Sequence, residues 1–304
     1  MPRVAAIIAV HNGEGFIHKA ILSVLAQTYR DVEIFVADDH SSDHSAEIAA
    51  SYGPRVHLLS VNHGNTQATR NAAIAASDSD FIGLLDQDDA WHPSKLARQI
   101  ALMDADSRLG LCYTDTRCVD MLGQELPEKH NPLRRPKDQT QALGMLLRLN
   151  IMAASSVLVR RQILGDLGVF DPRFHLAGDW DLWLRIVENH PIAAIPEVLL
   201  DYGWHDHNLS HQRESLLDEA LQVQEAALRR VSRHPRWSRD PGLTRYLPAA
   251  RRKLASRSVE FGALLARQGR RAEALGRFRR AIRLTPWLPR AWAGWIKTYI
   301  SHSS

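Results

Sequence analysis

Over its first 115 residues the chain repeats one pattern: a short apolar run, a polar break, an amphipathic stretch, and the next apolar run. Residues 4–10 are continuously apolar and read as a strand buried on both faces. In residues 16–27, Phe16, Ile17, Ala20, Ile21, Val24 and Leu25 form one helical stripe. Further strands are predicted at 32–37, 56–59, 81–85 and 109–113. Helices are predicted between them: one capped by Ser41 or Ser42 and running to about Ala50, one over 66–76, and one opened by Pro93. Alternation with links this short leaves little choice. It implies an α/β fold, an open and mostly parallel sheet with helices on both faces.

Such a sheet lines up the C-terminal ends of its parallel strands along one edge, where ligands of open α/β sheets bind. The first strand runs into His11 and Asn12, the second into Asp38 and Asp39, and the fourth into Asp86-Gln87-Asp88-Asp89. Any one of these residues could be no more than a turn former or helix cap. Together they bring five carboxylates to one edge. Clustered carboxylates without Cys or paired His suit a hard divalent cation, Mg²⁺ or Mn²⁺, which prefers oxygen ligands and shares them with phosphates. There is no GxxxxGK[ST] loop, which disfavours a P-loop NTPase. No GxGxxG follows the first strand, which disfavours a dinucleotide-binding oxidoreductase. The edge fits a metal-bridged diphosphate with its nucleotide lying along the strand ends.

The 304 residues are 45% hydrophobic and 24% charged, which suits a packed core and argues against a disordered chain. The net charge of +4 is unevenly divided: residues 241–304 hold 14 Lys and Arg against 2 Asp and Glu, and residues 1–240 hold 24 against 32. An acidic body therefore carries a basic tail. The two cysteines, Cys112 and Cys118, show no metal-ligand spacing and fit reduced thiols. The first apolar run is too short for a secretory leader, and no uncharged stretch approaches the roughly 18–20 residues of a membrane span. The expectation is a cytoplasmic protein, with peripheral contact at the inner membrane face left open.

A series of motifs, in order over residues 3–210, resembles family 2 glycosyltransferases. It comprises residues 4–13, Ser23-Val24-Leu25-Ala26-Gln27-Thr28-Tyr29, Asp38-Asp39-His40-Ser41-Ser42-Asp43, Asn62-His63-Gly64-Asn65, Thr69-Arg70-Asn71-Ala72-Ala73, Leu85-Asp86-Gln87-Asp88-Asp89, and Gly178-Asp179-Trp180-Asp181-Leu182-Trp183. The resemblance implies a GT-A fold, a nucleotide-diphosphate sugar donor, typically UDP-linked, and Mn²⁺ or Mg²⁺. It sets Ala9, Val10, His11, Asn12 and Glu14 at the border of the nucleotide and Asp39 at the base. Asn65 and Gln87 belong to the donor-binding motifs, and Arg70 lies by the base or diphosphate. Asp86 and Asp88 form the Asp-x-Asp element, with Asp88 ranked first as direct metal ligand and Asp86 nearer the ribose. Asp179 matches the carboxylate that deprotonates the acceptor hydroxyl, with Asp181 as second candidate; displacement opposite the leaving diphosphate inverts the anomeric centre. His205, in the loop 202–210, falls near the diphosphate or metal, and His207 ranks below it. Ala9 and His11 stand where the family usually has Pro and Tyr, Gly178 where it usually has Glu, and Gly203 where it often has Arg. Asp179 reads equally as the N-cap of a helix over 180–187 that buries Leu182, Trp183 and Ile186, and the two roles are compatible. Trp180 and Trp183 read as core or as a wall of the acceptor site.

Residues 213–233 read as a helical linker, and Pro235, Pro241 and Pro248 mark a change of region. Gly262, Leu265, Gly269, Ala274, Phe278, Ala281 and Pro286 fall at the spacings of a 34-residue tetratricopeptide repeat. The expected division is a catalytic domain over 1–212, a linker over 213–245 and a helical extension over 246–304, packed on the body or pairing with another chain as a homo-oligomer. Trp287, Trp292, Trp295 and Tyr299 with Arg290 and Lys297 form a candidate patch for anionic lipid, helix–helix packing being the plain alternative. No aromatic–basic interleaving supports nucleic acid. The expected function is inverting sugar transfer to a hydroxyl of a glycan or lipid-linked acceptor, in polysaccharide or cell-surface glycan synthesis. The alternative is a non-catalytic nucleotide-sugar-binding protein that recruits partners through its tail. Sugar nucleotidyltransfer would need a basic Gly-rich loop after the first strand, and His11-Asn12-Gly13-Glu14-Gly15 has no Lys or Arg.

Overall fold

The first apolar run becomes the centre of the sheet. In the computed structural model, which describes residues 2–129, 133–206 and 208–300, β1 (Val4–Val10) pairs in parallel with β2 (Val32–Asp39) on one side and β4 (Phe81–Asp86) on the other. β2 pairs in parallel with β3 (His57–Val61). The connections are α1 (Ile17–Leu25), α2 (Ser45–Ala50) and α3 (Thr66–Ala76). Val4, Ala6, Ile8 and Val10 of β1 pack with Ile17, Ala20, Ile21 and Val24 of α1. The alternate residues Ala5 and Ile7 are buried as well, which explains why this strand is apolar throughout instead of alternating.

The chain continues through β5 (Ala90–Trp91), α4 (Lys95–Ala105), β6 (Leu111–Val119), α5 (Gln139–Leu146), β7 (Val157–Arg160), α6 (Arg161–Leu167), α7 (Gly178–Asn189) and β8 (Ile192–Gly203). The sheet order is β3-β2-β1-β4-β7-β6-β8-β5. β7 lies antiparallel to both β4 and β6, β6 and β8 are parallel, and β5 is antiparallel to β8. The α/β, mostly parallel sheet is as expected, but its second half is not a simple continuation. The strand anticipated at 109–113 is β6, which runs to Val119 and is separated from β4 by β7. Pro196 of β8 falls between the residues paired with Thr114 and Asp115, where the register shifts; a residue without an N–H is tolerated at such a bulge.

Two helix starts also differ. α2 begins at Ser45, because Ser41 and Ser42 are engaged elsewhere, and α4 begins at Lys95, two residues after Pro93.

These elements, apart from the second half of α5, belong to one of two compact units, which holds the chain through Ala142 and Ile151–Asn208. The other holds Leu143–Asn150 and the chain from Leu209 onward. It contains α8 (Arg213–Arg233), the short α9 (Pro241–Thr244), α10 (Leu247–Arg267), α11 (Arg271–Leu284) and α12 (Pro289–Ile300). Leu217, Leu221, Leu254, Phe261, Leu265, Ala274 and Phe278 form its core. Gly262 and Gly294 both face the Phe278 ring: a Cβ on either would stand 3.1 or 2.4 Å from its Cε1, so the missing side chains let the helices close on the aromatic. Gly269, at φ +77°, turns the chain between α10 and α11. Among the described residues, no helix is long and apolar enough to cross a membrane.

Candidate active site

The parallel register brings the polar strand ends level. Ala9 is paired with Ala37 and Asp86, and Val10 with Asp38. His11 leaves β1 with its amide donating to Gln87 Oε1 (2.9 Å) and its Nδ1 2.8 Å from the Asp39 carbonyl oxygen. Asn12 adopts φ +49°, a left-handed conformation that Asn tolerates better than most residues. Its amide donates to Ser41 Oγ (3.0 Å), and its Oδ1 accepts from Ser42 N (2.8 Å). The two serines that looked like helix caps therefore tie the β2 turn to the β1 turn. Glu14 Oε2 accepts from both the amide and Nδ1 of His44, and these bonds hold its carboxyl below the usual range.

Asp39 is buried at the end of β2. Its two oxygens accept the amides of His63, Gly64 (3.2 Å) and Asn65 (3.1 Å). Burial alone would raise its pKa, but these three donors and the Thr69 hydroxyl outweigh it, and the carboxyl is held below its ordinary value. Asn65 caps α3, its Oδ1 accepting from Gln67 N and Ala68 N, while its Nδ2 donates to Pro172 O (2.9 Å). In this structure Asp39 and Asn65 thus build the turn before α3.

The Asp86–Asp89 turn carries the densest charge. Asp86 Oδ1 is bound by Arg70 Nη2, and the Asp86 amide donates to Ser155 Oγ (2.9 Å). Arg70 is buried and lies over the Phe170 ring at 5.5 Å. Asp88 Oδ2 meets His205 Nε2 (3.0 Å) and Asn208 Nδ2 (3.1 Å). His205 stacks on Phe16, with ring centroids 4.7 Å apart. Burial, then the neighbouring Asp86, pushes the Asp88 carboxyl up, against the pull of His205. Asp89 is fully buried, accepts from Gly203 N (2.9 Å), and is pushed well up by burial and by Asp88 and Asp86. Gly203 passes so close over this turn that a Cβ would stand 2.2 Å from the Asp88 carbonyl oxygen. A glycine at 203 thus has a local steric cause. His207 lies outside the described residues.

Asp179 and Asp181 both fall in the first turn of α7, which begins at Gly178, so Asp179 is not the N-cap; that position is Ala177. Asp181 is buried and paired with Arg185 (2.8 Å), whose other nitrogens bind the carbonyls of Leu167, Gly168 and Val169. That pairing is a brace between α7 and the segment before it. Asp179 is half-buried, and its Oδ1 accepts from Trp180 N at 2.6 Å. Trp180 and Trp183 are buried and belong to the core. Gln67 of α3 lies against Gly178 and also accepts from Arg70. A line of contacts therefore runs from the Asp86 turn through Arg70 and Gln67 to the residue before Asp179. Gln67, Ser155 and Asn208 carry no site role in the sequence reading, and Phe16, read there as part of the α1 stripe, instead precedes the helix and stacks on His205. A buried amide, a stacking ring or a serine behind a turn leaves no spacing pattern; Asn208 alone sat inside a motif already under scrutiny.

The donor set was tested against a divalent cation. Asp86 and Asp88 stand in one turn and raise the cost of ionising Asp88, a strain that a bound cation relieves. With His205 they offer the oxygen and imidazole ligand types that Mn²⁺ or Mg²⁺ accepts, while in this structure Arg70 binds Asp86, and His205 and Asn208 bind Asp88. Among the described residues no group of three or more His, Cys, Asp or Glu side chains encloses a metal position. A small cavity of about 40 Å³ beside Asp88 is lined by Gly15, Phe16, Lys19, Asp120, Met121 and Gly203. A larger cleft, about 250 Å³, lies at the opposite strand ends near Val32 and His57; Val24, Leu25, Gln27 and Tyr29 of the 23–29 motif line it, but none of the residues assigned to the donor, the metal or the base does.

The chain was compared with known proteins. An uncharacterized glycosyltransferase of Rickettsia typhi is 26% identical over 219 residues, 72% of this chain and 69% of that protein. Among solved structures, Staphylococcus aureus TarS 1–349 in complex with UDP-GlcNAc matches 98% of this chain and 89% of its own, with TM-score 0.62 and 15% identity. The mannosyltransferase PcManGT of Pyrobaculum calidifontis, in complex with GDP-Man and Mn²⁺, matches 99% of this chain and 88% of its own, with TM-score 0.63 and 17% identity. These structural likenesses show the GT-A fold. The family model for glycosyl transferase family 2 matches residues 5–168, more than half of the chain, and with the motif-bearing strand ends in place the chain belongs to glycosyl transferase family 2.

Proposed function

We propose that this enzyme transfers a sugar, with inversion, from a nucleoside diphosphate, UDP being the first candidate, to a hydroxyl of a glycan or lipid-linked acceptor. The observation that carries the reading is the line of contacts from the Asp86–Asp88 turn through Arg70 and Gln67 to Gly178, which links a diphosphate-type site to the carboxylate of Asp179. The β1 and β2 turns, with Asp39 and the 63–65 turn, form the nucleotide side. Asp88, with Asp86 and His205, would hold Mn²⁺ or Mg²⁺, which when bound offsets the negative charge on a departing diphosphate. Asp179 takes the proton of the acceptor hydroxyl as its oxygen bonds to the anomeric carbon and the bond to the diphosphate breaks. Nucleotide-sugar donors in TarS and PcManGT, and Mn²⁺ in PcManGT, support the donor and metal classes.

Gly178 and Gly203 each have a packing reason, which removes their support for a non-catalytic binding protein. In the tail, Trp287, Trp292, Ile296, Tyr299 and Ile300 are exposed beside Arg290 and Lys297, whereas Trp295 packs on the helical core. This apolar stripe in a basic segment supports contact with an anionic lipid surface. The test of the central reading is Asp179→Asn: nucleotide binding is retained and turnover falls roughly 10²–10⁴-fold. Unchanged turnover would sink the assignment.

A further inference from the structure

Gln67 is a buried amide that none of the donor, metal or base assignments uses. It sits in the first turn of α3 and is 2% exposed. Its Oε1 accepts from Arg70 Nη1 at 3.2 Å, and its Nε2 donates to the His175 carbonyl at 3.1 Å. Its stem lies against Gly178, where a Cβ would stand 2.7 Å from Gln67 Cγ and 2.8 Å from Cδ. Carbon atoms in good contact are about 3.5–4 Å apart. Gln67 therefore already fills the space that a side chain at 178 would need.

The neighbourhood shows what this amide connects. α3 is fastened to the segment leading into α7 at several points: Asn65 Nδ2 to Pro172 O (2.9 Å), Thr66 N to His175 Nδ1 (3.3 Å), and a reciprocal pair between Asn71 and Phe170. Gln67 belongs to this seam and in addition touches both Arg70, which holds Asp86, and Gly178, which precedes Asp179.

We propose that Gln67 is a positioning residue that sets Asp179 against the Asp86–Asp88 turn, and that residue 178 is glycine because Gln67 occupies its side-chain space. The proposal rests on the reading of Asp179 as the base. Truncation at 67 leaves Arg70 Nη1 and the His175 carbonyl short of a partner and opens a void under the start of α7. Adding a methyl at 178 displaces the same stem from the other side. Removing the stem makes room for that methyl, so the two changes must compensate. Gln67 reaches the donor side through Arg70 and, by its backbone amide, Asn65, and Arg70 keeps its own bond to Asp86, so the larger loss is expected in kcat and the smaller in donor KM.

The experiment compares wild type, Gln67→Ala, Gly178→Ala, Gln67→Ala/Gly178→Ala and Gln67→Glu. Release of nucleoside diphosphate is measured with Mn²⁺ and the best donor among UDP-glucose, UDP-GlcNAc, UDP-galactose and GDP-mannose. Gln67→Ala and Gly178→Ala each lower kcat by on the order of tenfold, while donor KM stays within about threefold. The double variant turns over faster than Gly178→Ala alone. Gln67→Glu, which keeps the stem and the acceptor for Arg70 but loses the donor to the His175 carbonyl, retains more kcat than Gln67→Ala, and thermal unfolding of each variant separates loss of fold from loss of turnover. Unchanged kcat in Gln67→Ala, losses confined to KM, or losses that simply multiply in the double variant would overturn the proposal. Asp179→Asn is measured alongside. If it turns over normally, the base reading fails; if it is inactive while Gln67→Ala has wild-type kcat, the Gln67 proposal alone fails.

Discussion

Gly203→Ala is the smallest change that should disable the site. The new Cβ would stand 2.2 Å from the carbonyl oxygen of Asp88, a backbone atom that cannot rotate out of the way. Carbon–oxygen contacts run at about 3.3 Å, so either the end of β8 or the Asp88 peptide must move by about 1 Å. Both carry site groups: Gly203 N donates to Asp89 (2.9 Å), and Asp88 Oδ2 meets His205 and Asn208 at 3.0 and 3.1 Å. Overpacking of this kind costs about 1–3 kcal/mol, a drop of roughly 2–12 °C in Tm for a unit of this size. A misplacement of about 1 Å near the reacting atoms costs on the order of 100-fold in turnover. The assay is nucleoside-diphosphate release from a nucleotide-sugar panel, with thermal unfolding in parallel. Gly165→Ala is the control: it adds the same methyl at an exposed position of α6 in the same unit, where nothing lies within 4 Å. It should be active and more stable by about 0.5–1 kcal/mol. Wild-type Tm and turnover in Gly203→Ala would refute the reasoning.

Two further outcomes follow from other parts of the structure. Asp39 has a folded pKa below its unfolded value, so its stabilisation is present above the ordinary carboxylate range and is lost as pH falls through the lowered value. Asp39→Asn should therefore lower stability at pH 7 by about 1–3 kcal/mol and flatten the acid side of the stability–pH curve; parallel wild-type and variant curves would argue against the three amide bonds. In the tail, the full chain should sediment with vesicles containing phosphatidylglycerol, and Trp292→Ser/Ile296→Ser should weaken this. Equal sedimentation with neutral phosphatidylcholine vesicles would contradict the electrostatic part of that reading.

The part of the fold that could be read from sequence is the part whose physics is local. β1, β2 and β4 are short, apolar on both faces and followed by polar residues, so both the sheet and its binding edge were visible. The pairing of Ala9 with Ala37 and Asp86 is what turns separate motifs into one edge. The second half of the sheet was hidden because β5 has two residues, β8 contains Pro196, and β7 inserts between strands distant in sequence. Ser41 and Ser42 had the composition of helix caps, but a left-handed Asn12 captured them across the sheet edge. Gln67 was invisible for a similar reason: its role depends on what is missing at residue 178, more than 100 positions away in the chain.

The claim at the centre of this account is that a divalent cation and a nucleoside diphosphate share the Asp86–Asp88 turn. Titration calorimetry of UDP, and of GDP in parallel, into the full chain with and without Mn²⁺ tests it directly. The account predicts nucleotide binding that strengthens markedly with Mn²⁺ and loses that dependence in Asp88→Ala. Binding that is indifferent to Mn²⁺, or metal-dependent binding that survives Asp88→Ala unchanged, would contradict it.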